Sequence, residues 1–588
     1  MRILHTEASK GWGGQEIRIL DEAEGMIARG WDVLIATPAE AALFEAAKRR
    51  GIPVHAIALD RRTPASLHSL YSLMREFRPH IVVSHSSSDS WLAAVATRFH
   101  RRPAVVRLRH LSGPVAAGPL NRWLYGRVPA RVVTTSTAIN AMLIERLSLD
   151  PAKVVAIPTG IDVDRFTPGD RAAARATLGL PANAKLVGIV ATLRSWKGHR
   201  FLVEAMTDPR LKDARLILVG DGPQEPALRA QVAELGLDKR ANFAGRQDDV
   251  VPWLRALDVF VLPSTDSEGV PQALMQAMAC GVPVVTTAAG GIPELVRDGE
   301  NGLVVPTENP SALAESIDRL LQDRALASRI ASAGRREVEA HHTKAAMLDA
   351  MERVYRAAVL KSYWPVVGKI ARAVKPRTIL DLPSGDGWLV DVMNGVDNVA
   401  IDGIDLYKAS PKGYRQFLIA DLEAGVPEDL GIYDMVVSCE GIEHIANPGL
   451  LLKSAKQHLN ASGTFVVSTP NTWYPASRLQ YFTRGFFPGF PSLAGKIKPG
   501  SHMHIMPWSF PHLYLHLRLA GFEGVELHPC LEGRTHIFEY LLALPMKAYC
   551  KRKARKAATP EEKHYWETCA SPGSLYARRL VVSAKKAG

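Results

Sequence analysis

The sequence predicts an α/β protein built from three Rossmann-like domains in tandem, each a mainly parallel sheet with helices on both faces. Three observations predict it. Short runs rich in Val, Ile and Leu alternate with helical patterns along the chain, the rhythm of doubly wound parallel sheets. That rhythm restarts twice, and 588 residues exceed what one hydrophobic core organises, at a prior of about 150 residues per domain. Hydrophobic residues at 47% and charged residues at 22% are ordinary globular values, which argue against disorder and against a membrane-embedded chain.

In the first domain, residues 1–165, the strand-like runs are RILHT, DVLIAT, HIVVSH, AVVRLR, RVVTTS and VVAIPTG. The second, residues 166–358, carries LVGIVATL, RLILVG, NFAG, DVFVLPS and PVVTT. Two such sheets leave a cleft between them. A helical segment around Tyr363–Lys375 leads into the third domain, residues 359–588, with TILDL, VAIDGID, YDMVVSCE and TFVVSTP. The closing SLYARRLVVSAKK reads as a late edge strand. The Pro- and Gly-rich YFTRGFFPGFPSLAGKIKPG reads as a lid or insertion, since long loops in compact domains are often functional.

The opening MRILHTEASKGWGG reads as a first strand, because it lacks the apolar core and cleavage site of a signal peptide. No stretch approaches about 18 uninterrupted apolar residues, so no spanning helix is expected. Cys280, Cys439, Cys530, Cys550 and Cys569 show no CxxC spacing, which disfavours zinc and disulfides and fits a reducing cytoplasm. The excess of 72 Lys and Arg over 59 Asp and Glu, a net +13, suggests anionic partners. Basic residues concentrate in KAYCKRKARKAA, which has no aromatic-interleaved RNA-binding motif, so nucleic acid is not expected as a partner.

Chemistry concentrates in two places. A ligand that carries hydroxyls and phosphates needs hydrogen-bond acceptors, positive charge and backbone amides at close approach. Glu268 follows strand DVFVLPS, at the carboxyl edge where α/β sheets place ligands, and Gln276 lies in the following helix. Gly13 and Gly14 occupy the first strand-to-helix loop, where missing side chains let amides approach a phosphate; this is no GxGxxG fingerprint, which disfavours a dehydrogenase. Lys197 and Arg194 in ATLRSWKGH supply positive charge.

Read in order, GGQE, IPTGID with Phe166, ATLRSWKGH, VGDGP, FAG, LDVFVLPS, SEGVPQALMQAMACGVPVVTTAAGGIPELV and NGLVVP resemble family 4 glycosyltransferases of the GT-B fold. The resemblance covers residues 1 to about 358. It implies that Glu268 reaches the donor sugar, and that Gln276 stands where the family has a Glu on the ribose. An amide still accepts there, without the charge-assisted part of the bond. Lys197 falls on a phosphate-facing Lys position; the usual Arg position holds Thr192, and Arg194, on the same face by strand alternation, is expected to compensate. His110, ending AVVRLRH, resembles the cleft histidine near the transferred sugar. Such enzymes retain anomeric configuration, with Lys197 and Arg194 stabilising the leaving diphosphate; the donor is a UDP- or GDP-sugar, and no metal is required.

In ILDLPSGDG, Asp381 ends a strand and Gly385 and Gly387 form a turn that lets a cofactor pass close to the backbone. Asp405 lies 24 residues beyond Asp381, the spacing at which a carboxylate accepts from ribose hydroxyls. With Asp421 and Leu422 in IADLE, YDMVVSCEGIEHI and LLKSAKQHLNASGTFVVSTPN, these segments resemble class I methyltransferases using S-adenosylmethionine, over about residues 360–588. The resemblance places Asp421 and Leu422 on the adenine side and Glu440, Glu443 and His444 on the substrate side. His444 is the candidate general base or a pin for its loop. His502, His504 and Trp508 fall in HMHIMPWS, where no carboxylate or Cys at suitable spacing accompanies the histidines, so no metal is expected. RTHIFEYLLALPMKAYCKRKARK is either a stretch that rests on an anionic bilayer or a packed helix with a solvated end.

The two resemblances together imply a cytoplasmic, bifunctional enzyme, peripheral on the inner face of the cytoplasmic membrane if the basic stretch binds lipid. It would glycosylate a glycan or lipid-linked acceptor and O-methylate a sugar of a bacterial surface polysaccharide, lipopolysaccharide O-antigen or capsule. A C-terminal module that only binds the cofactor or docks substrate is the alternative; nucleic-acid methylation is favoured by charge alone.

Overall fold

The computed structural model describes every residue except 100–102, 111–112, 267, 360, 386, 394–395, 397, 407–412, 489–503, 531–536 and 588. It divides into two compact units, Met1–Val359 and Leu360–Gly588. Among the described residues no helix is long and apolar enough to cross a membrane.

The first unit holds two parallel sheets. Strands β1 (Arg2–Thr6), β2 (Asp32–Thr37), β3 (Val54–Ala56), β4 (Ile81–Ser84), β5 (Ala104–Arg109), β6 (Arg131–Thr134) and β7 (Val154–Ala156) take the order β3-β2-β1-β4-β5-β6-β7. Strands β8 (Lys185–Val190), β9 (Ala214–Val219), β10 (Ala241–Gly245), β11 (Val259–Leu262), β12 (Val284–Thr287) and β13 (Leu303–Val305) take the order β10-β9-β8-β11-β12-β13. Central strands such as β4 and β11 are buried along their whole length, as continuous apolar runs between two helical layers must be. β3 is a three-residue edge with His55 exposed.

Helix α1 (Gly14–Ala28) buries Ile19, Leu20, Ala23 and Met26, one face at helical period. Helix α2 (Thr137–Leu147) follows β6 and α3 (Gln272–Ala279) follows β11. Helix α4 (Lys344–Ala358) comes after the second sheet in sequence, yet Met347, Leu348, Met351, Val354 and Tyr355 join the core of the first sheet. Gly25 of α1 admits it: a Cβ there would stand 2.3 Å from Leu348 Cδ1.

The second unit opens with α5 (Trp364–Val374), whose Trp364 stacks on Trp388 at 5.3 Å. Its sheet comprises β14 (Thr378–Asp381), β15 (Ala400–Asp405), β16 (Gln416–Ile419), β17 (Tyr433–Cys439), β18 (Leu459–Pro470), β19 (Phe522–His528) and β20 (Arg579–Lys586), in the order β16-β15-β14-β17-β18-β20-β19. The first five strands are parallel; β20 runs antiparallel to both β18 and β19. The last strand is therefore not the edge that the sequence suggests. Leu580 to Ala584 are buried without a break, whereas β19 buries only Phe522 and Val525, bulges between Glu523 and Glu526, and caps the sheet. The chain closes by inserting its final strand between two others, an order that alternation of side chains does not encode.

Helix α6 (Pro475–Arg484) contains the start of the Pro- and Gly-rich insertion; residues 489–500 and His502 lie outside the described residues. Helix α7 (Ile537–Arg555) carries the aromatic, aliphatic and basic stretch.

Candidate functional site

In the first unit the carboxyl ends of β8 and β11 bring Lys197 and Glu268 together. Lys197 Nζ lies 2.6 Å from Glu268 Oε1, which also accepts from Ser264 Oγ at 2.7 Å. Glu268 is 5% exposed, so this is a largely dehydrated ion pair whose partners depend on each other. Backbone packing fixes both. Gly198, at φ +72°, lies so close to the end of β11 that a Cβ would stand 1.9 Å from the Pro263 carbonyl oxygen. Gly290, at φ +57°, presses on the carbonyl of Glu268, and Gly291 N donates to that carbonyl at 3.1 Å.

The same loops face the first sheet. Gly269 packs against Thr135 and Gly291 against Ser136, with no room for a side chain at either glycine. Glu294 accepts from the Thr137 and Ala138 amides at 2.9 and 3.0 Å, satisfying the open N-terminus of α2. Gly13 caps α1. Gln272 Nε2, at the start of α3, donates to the Gly14 carbonyl at 2.6 Å. Gln276, one turn further along α3, is half-buried. Sequence reasoning passed over Gln272 and Ser264, because neither is charged and only the fold shows what they reach.

Arg194 is exposed, its guanidinium 5.7 Å from the Trp196 ring centroid. β8 ends at Val190, so strand alternation does not govern Thr192 and Arg194, and the shared-face argument drops out.

His110 follows β5 and ends a row of three imidazoles. His5 Nδ1 lies 3.0 Å from His85 Nε2, and His85 Nδ1 lies 3.1 Å from His110 Nε2. Successive rings stack with centroids 5.3 and 5.4 Å apart. At the inner end His5 Nε2 is 3.9 Å from Glu22, which accepts from the Tyr355 hydroxyl. Burial lowers His5 to about 3 and holds His85 and His110 well below the ordinary imidazole range; Arg18 and Arg107 push the latter two the same way. The three rings are neutral at pH 7, and the ring nitrogens facing each other couple their tautomers. His5 and His85 left no sequence signal, being single polar residues in apolar strand ends.

In the second unit the glycine turn after β14 has a cofactor cradle's geometry. Gly385 and Gly387 have φ of +57° and +83°, and a Cβ at Gly385 would meet nothing within 4 Å, leaving open space before the backbone. Asp405 Oδ2 accepts from Gly385 N at 2.8 Å, and Ser384 Oγ donates to the Ile404 carbonyl at 3.1 Å. Asp381 is fully buried and accepts from Tyr414 OH at 2.7 Å. Asp421 is exposed and caps the short turn Leu422–Ala424, while Leu422 is buried in the core. The residues present fit S-adenosylmethionine: an open glycine turn, with a carboxylate at the neighbouring strand end.

Beyond β17, Glu440 takes the left-handed conformation, φ +54°, and accepts from Arg579 Nε at 3.1 Å. Gly441 packs on Pro383 of the glycine turn; a Cβ there would stand 2.2 Å from Pro383 Cδ. Glu443 is buried and accepts from Thr469 Oγ1 at 3.0 Å. Burial, then Glu440, push its carboxyl up to about 8. The amides of Ile505 and Met506 donate to the Glu443 carbonyl at 2.8 and 3.1 Å, which sets His504 beside His444, ring centroids 4.9 Å apart. Ligand atoms of Glu443, His444 and His504 all lie within 4.8 Å of one another. The carboxylate partner that local spacing did not offer His504 comes from 61 residues earlier in the chain.

Comparison with known proteins bears on both units. A family model described as Glycosyltransferase Family 4 matches residues 12–165, one described as Glycosyl transferases group 1 matches residues 184–323, and one described as Methyltransferase domain matches residues 349–527. The D-inositol 3-phosphate glycosyltransferase of Streptomyces bingchenggensis (strain BCW-1) is 34% identical over 216 residues, 34% of this chain and 46% of that protein. The lipopolysaccharide core biosynthesis glycosyltransferase LpsE of Rhizobium meliloti (strain 1021) is 35% identical over 190 residues, 32% of this chain and 55% of that protein. The chain spans about half the length of the curated relatives it matches. Among solved structures, Anabaena HepE in complex with UDP-glucose aligns with a TM-score of 0.54 at 25% identity, over 60% of this chain and 99% of that one. A glycosyltransferase from Rickettsia africae ESF-5 aligns at 0.56 and 21% identity, over 61% and 98%, a likeness of fold.

Proposed function

We propose that this chain, in which a family 4 glycosyltransferase of GT-B fold is joined to a class I methyltransferase domain, builds and methylates a bacterial surface glycan. It transfers a sugar from a UDP- or GDP-sugar, with retention, to a glycan or lipid-linked acceptor. It then O-methylates a sugar of that glycan with S-adenosylmethionine. Residues 1–165 form the acceptor side, 166–358 the donor side and 359–588 the methyltransferase. The observation that carries the reading is the Lys197–Glu268 pair at 2.6 Å, its carboxylate buried, at the sheet edge where α/β folds bind ligands.

Lys197 and Arg194 stabilise the leaving diphosphate, Glu268 and Gln276 hold the sugar and ribose, and the Gly13–Gly14 amides approach the phosphate. The acceptor hydroxyl loses its proton to the β-phosphate oxygen, beside a neutral His110. In the second unit Gly385, Gly387 and Asp405 hold the cofactor, with Asp381, Asp421 and Leu422 around it. S-adenosylmethionine supplies an electrophilic methyl group when bound. The HepE complex with UDP-glucose supports a uridine donor, and the printed role of LpsE supports lipopolysaccharide as the setting. Association with the inner membrane surface is supported by Phe482 of α6, 88% exposed, and by exposed Tyr540, Leu541 and Leu544 of α7, a helix that ends in Arg552, Lys553 and Arg555.

Mass spectrometry tests the reading: a panel of nucleotide sugars is incubated with lipid-linked acceptors and S-adenosylmethionine. A glycosylated product that gains a methyl group supports both steps. Glycosylation without methyl incorporation would make the second unit a binding module, and an inverted anomer would remove the retaining mechanism.

A further inference from the structure

We propose that Glu443, His444 and His504 form a binding site for one first-row divalent metal ion beside the methyl-donor turn, whose open positions take hydroxyl oxygens of the acceptor sugar. The ion site stands on side-chain geometry; its use on an acceptor rests on the methyl-transfer reading above.

Three ligand atoms within 4.8 Å of one another enclose a point no more than about 2.8 Å from each. Shifts of roughly 0.6–0.8 Å then bring two imidazoles and a carboxylate to the about 2.0–2.2 Å of a metal–ligand bond. The carboxylate is prepared for it. Glu443 is 1% exposed, one oxygen is held by Thr469, and the other, Oε1, is buried without a hydrogen-bond partner among the described residues. A buried carboxylate oxygen left that way is costly unless a cation or donor meets it, and hydrogen-bonded carboxylates are the usual orientation device at metal centres. Two imidazoles with one carboxylate favour manganese, iron, cobalt or zinc over calcium and magnesium, and leave positions for exogenous oxygen.

The scaffold is built rather than incidental. His504 is fixed by two backbone hydrogen bonds from Ile505 and Met506 to the Glu443 carbonyl, and the segment is fastened again where Thr472 N donates to the Trp508 carbonyl at 2.8 Å. Gly441, packed on Pro383, places the cluster against the cofactor turn. Arg579, the nearby cation, is paired with Glu440 at 3.1 Å, so its charge does not stand alone against an incoming ion. His444 serves here as a ligand, where the sequence suggests a general base or a pin for its loop.

The full-length, untagged chain, stripped with chelator and repurified, is titrated with manganese chloride by electron paramagnetic resonance and with cobalt chloride by visible absorption. Binding of S-adenosylmethionine is measured in parallel by calorimetry. The expected result is one manganese ion per chain, weakened at least about tenfold in Glu443→Gln and in His504→Ala, with cofactor affinity and melting temperature preserved. Absence of saturable binding at about 1 mM of either ion, or equal binding by wild type and both variants, overturns the inference. Cofactor binding without metal binding sinks the ion site alone; metal binding without cofactor binding keeps the ion site and sinks the methyl-transfer reading.

Discussion

Replacing Gly198 with alanine separates the geometry of the Lys197–Glu268 pair from the mere presence of the two residues. A Cβ at this position would stand 1.9 Å from the Pro263 carbonyl oxygen, and real Cβ atoms do not come within 3.0 Å of such a neighbour. The loop after β8 must therefore retreat by at least about 1.1 Å, carrying Lys197, the preceding residue, with it. A 1 Å misplacement of a catalytic group costs roughly 100-fold in rate, or about 2.7 kcal/mol of transition-state stabilisation. The left-handed φ of +72° adds about 1–2 kcal/mol of native-state strain. Gly179→Ala is the control, because Gly179 has φ +64° but nothing within 4 Å of its Cβ position. It carries the backbone cost without the clash. Steady-state glycosyl transfer and thermal melting should show both variants destabilised, with only Gly198→Ala losing about two orders of magnitude in kcat/KM. Wild-type kcat/KM in a folded Gly198→Ala, or an equal loss in Gly179→Ala, refutes the claim that this close approach positions Lys197.

Glu268→Gln keeps the shape but leaves Lys197 without its buried counter-charge, and transfer should fall by about 100- to 1,000-fold; a rate within threefold of wild type would remove Glu268 from the site. His5, fully buried with a pKa lowered to about 3, makes the first unit acid-sensitive. Its unfolded form takes up a proton near pH 6.5 and its folded form does not, so stability present above pH 6.5 is lost on acidification, by about 2 kcal/mol at pH 5. In urea titrations His5→Gln should flatten the pH 8-to-5 dependence by that amount, and an unchanged slope contradicts the assignment. Asp405→Ala frees the Gly385 amide that it holds at 2.8 Å, and calorimetry should show S-adenosylmethionine binding at least about tenfold weaker, from loss of one charge-assisted bond of about 1.5–3 kcal/mol; equal affinity would place the cofactor elsewhere.

What the sequence by itself determines about this protein is local. Apolar runs marked most strands of the three sheets, because a strand buried on both faces must be continuously apolar whatever its neighbours. Glu268 and Lys197 stood out because they fall, in the loops after β11 and β8, within the ordered motifs that resemble family 4 glycosyltransferases. The short edges β3 and β16 were not legible, since three or four half-exposed residues, VHA and QFLI, are too few to show a strand's pattern. Tertiary structure decided everything that depends on which distant segments meet: β20 inserted between β18 and β19, α4 folded back onto the first sheet, Gln272 reaching Gly14. The row His5–His85–His110 and the cluster Glu443–His444–His504 are of the same kind. Each gathers residues from separate strands or loops, and a side chain's chemistry there is set by neighbours that sequence spacing does not record.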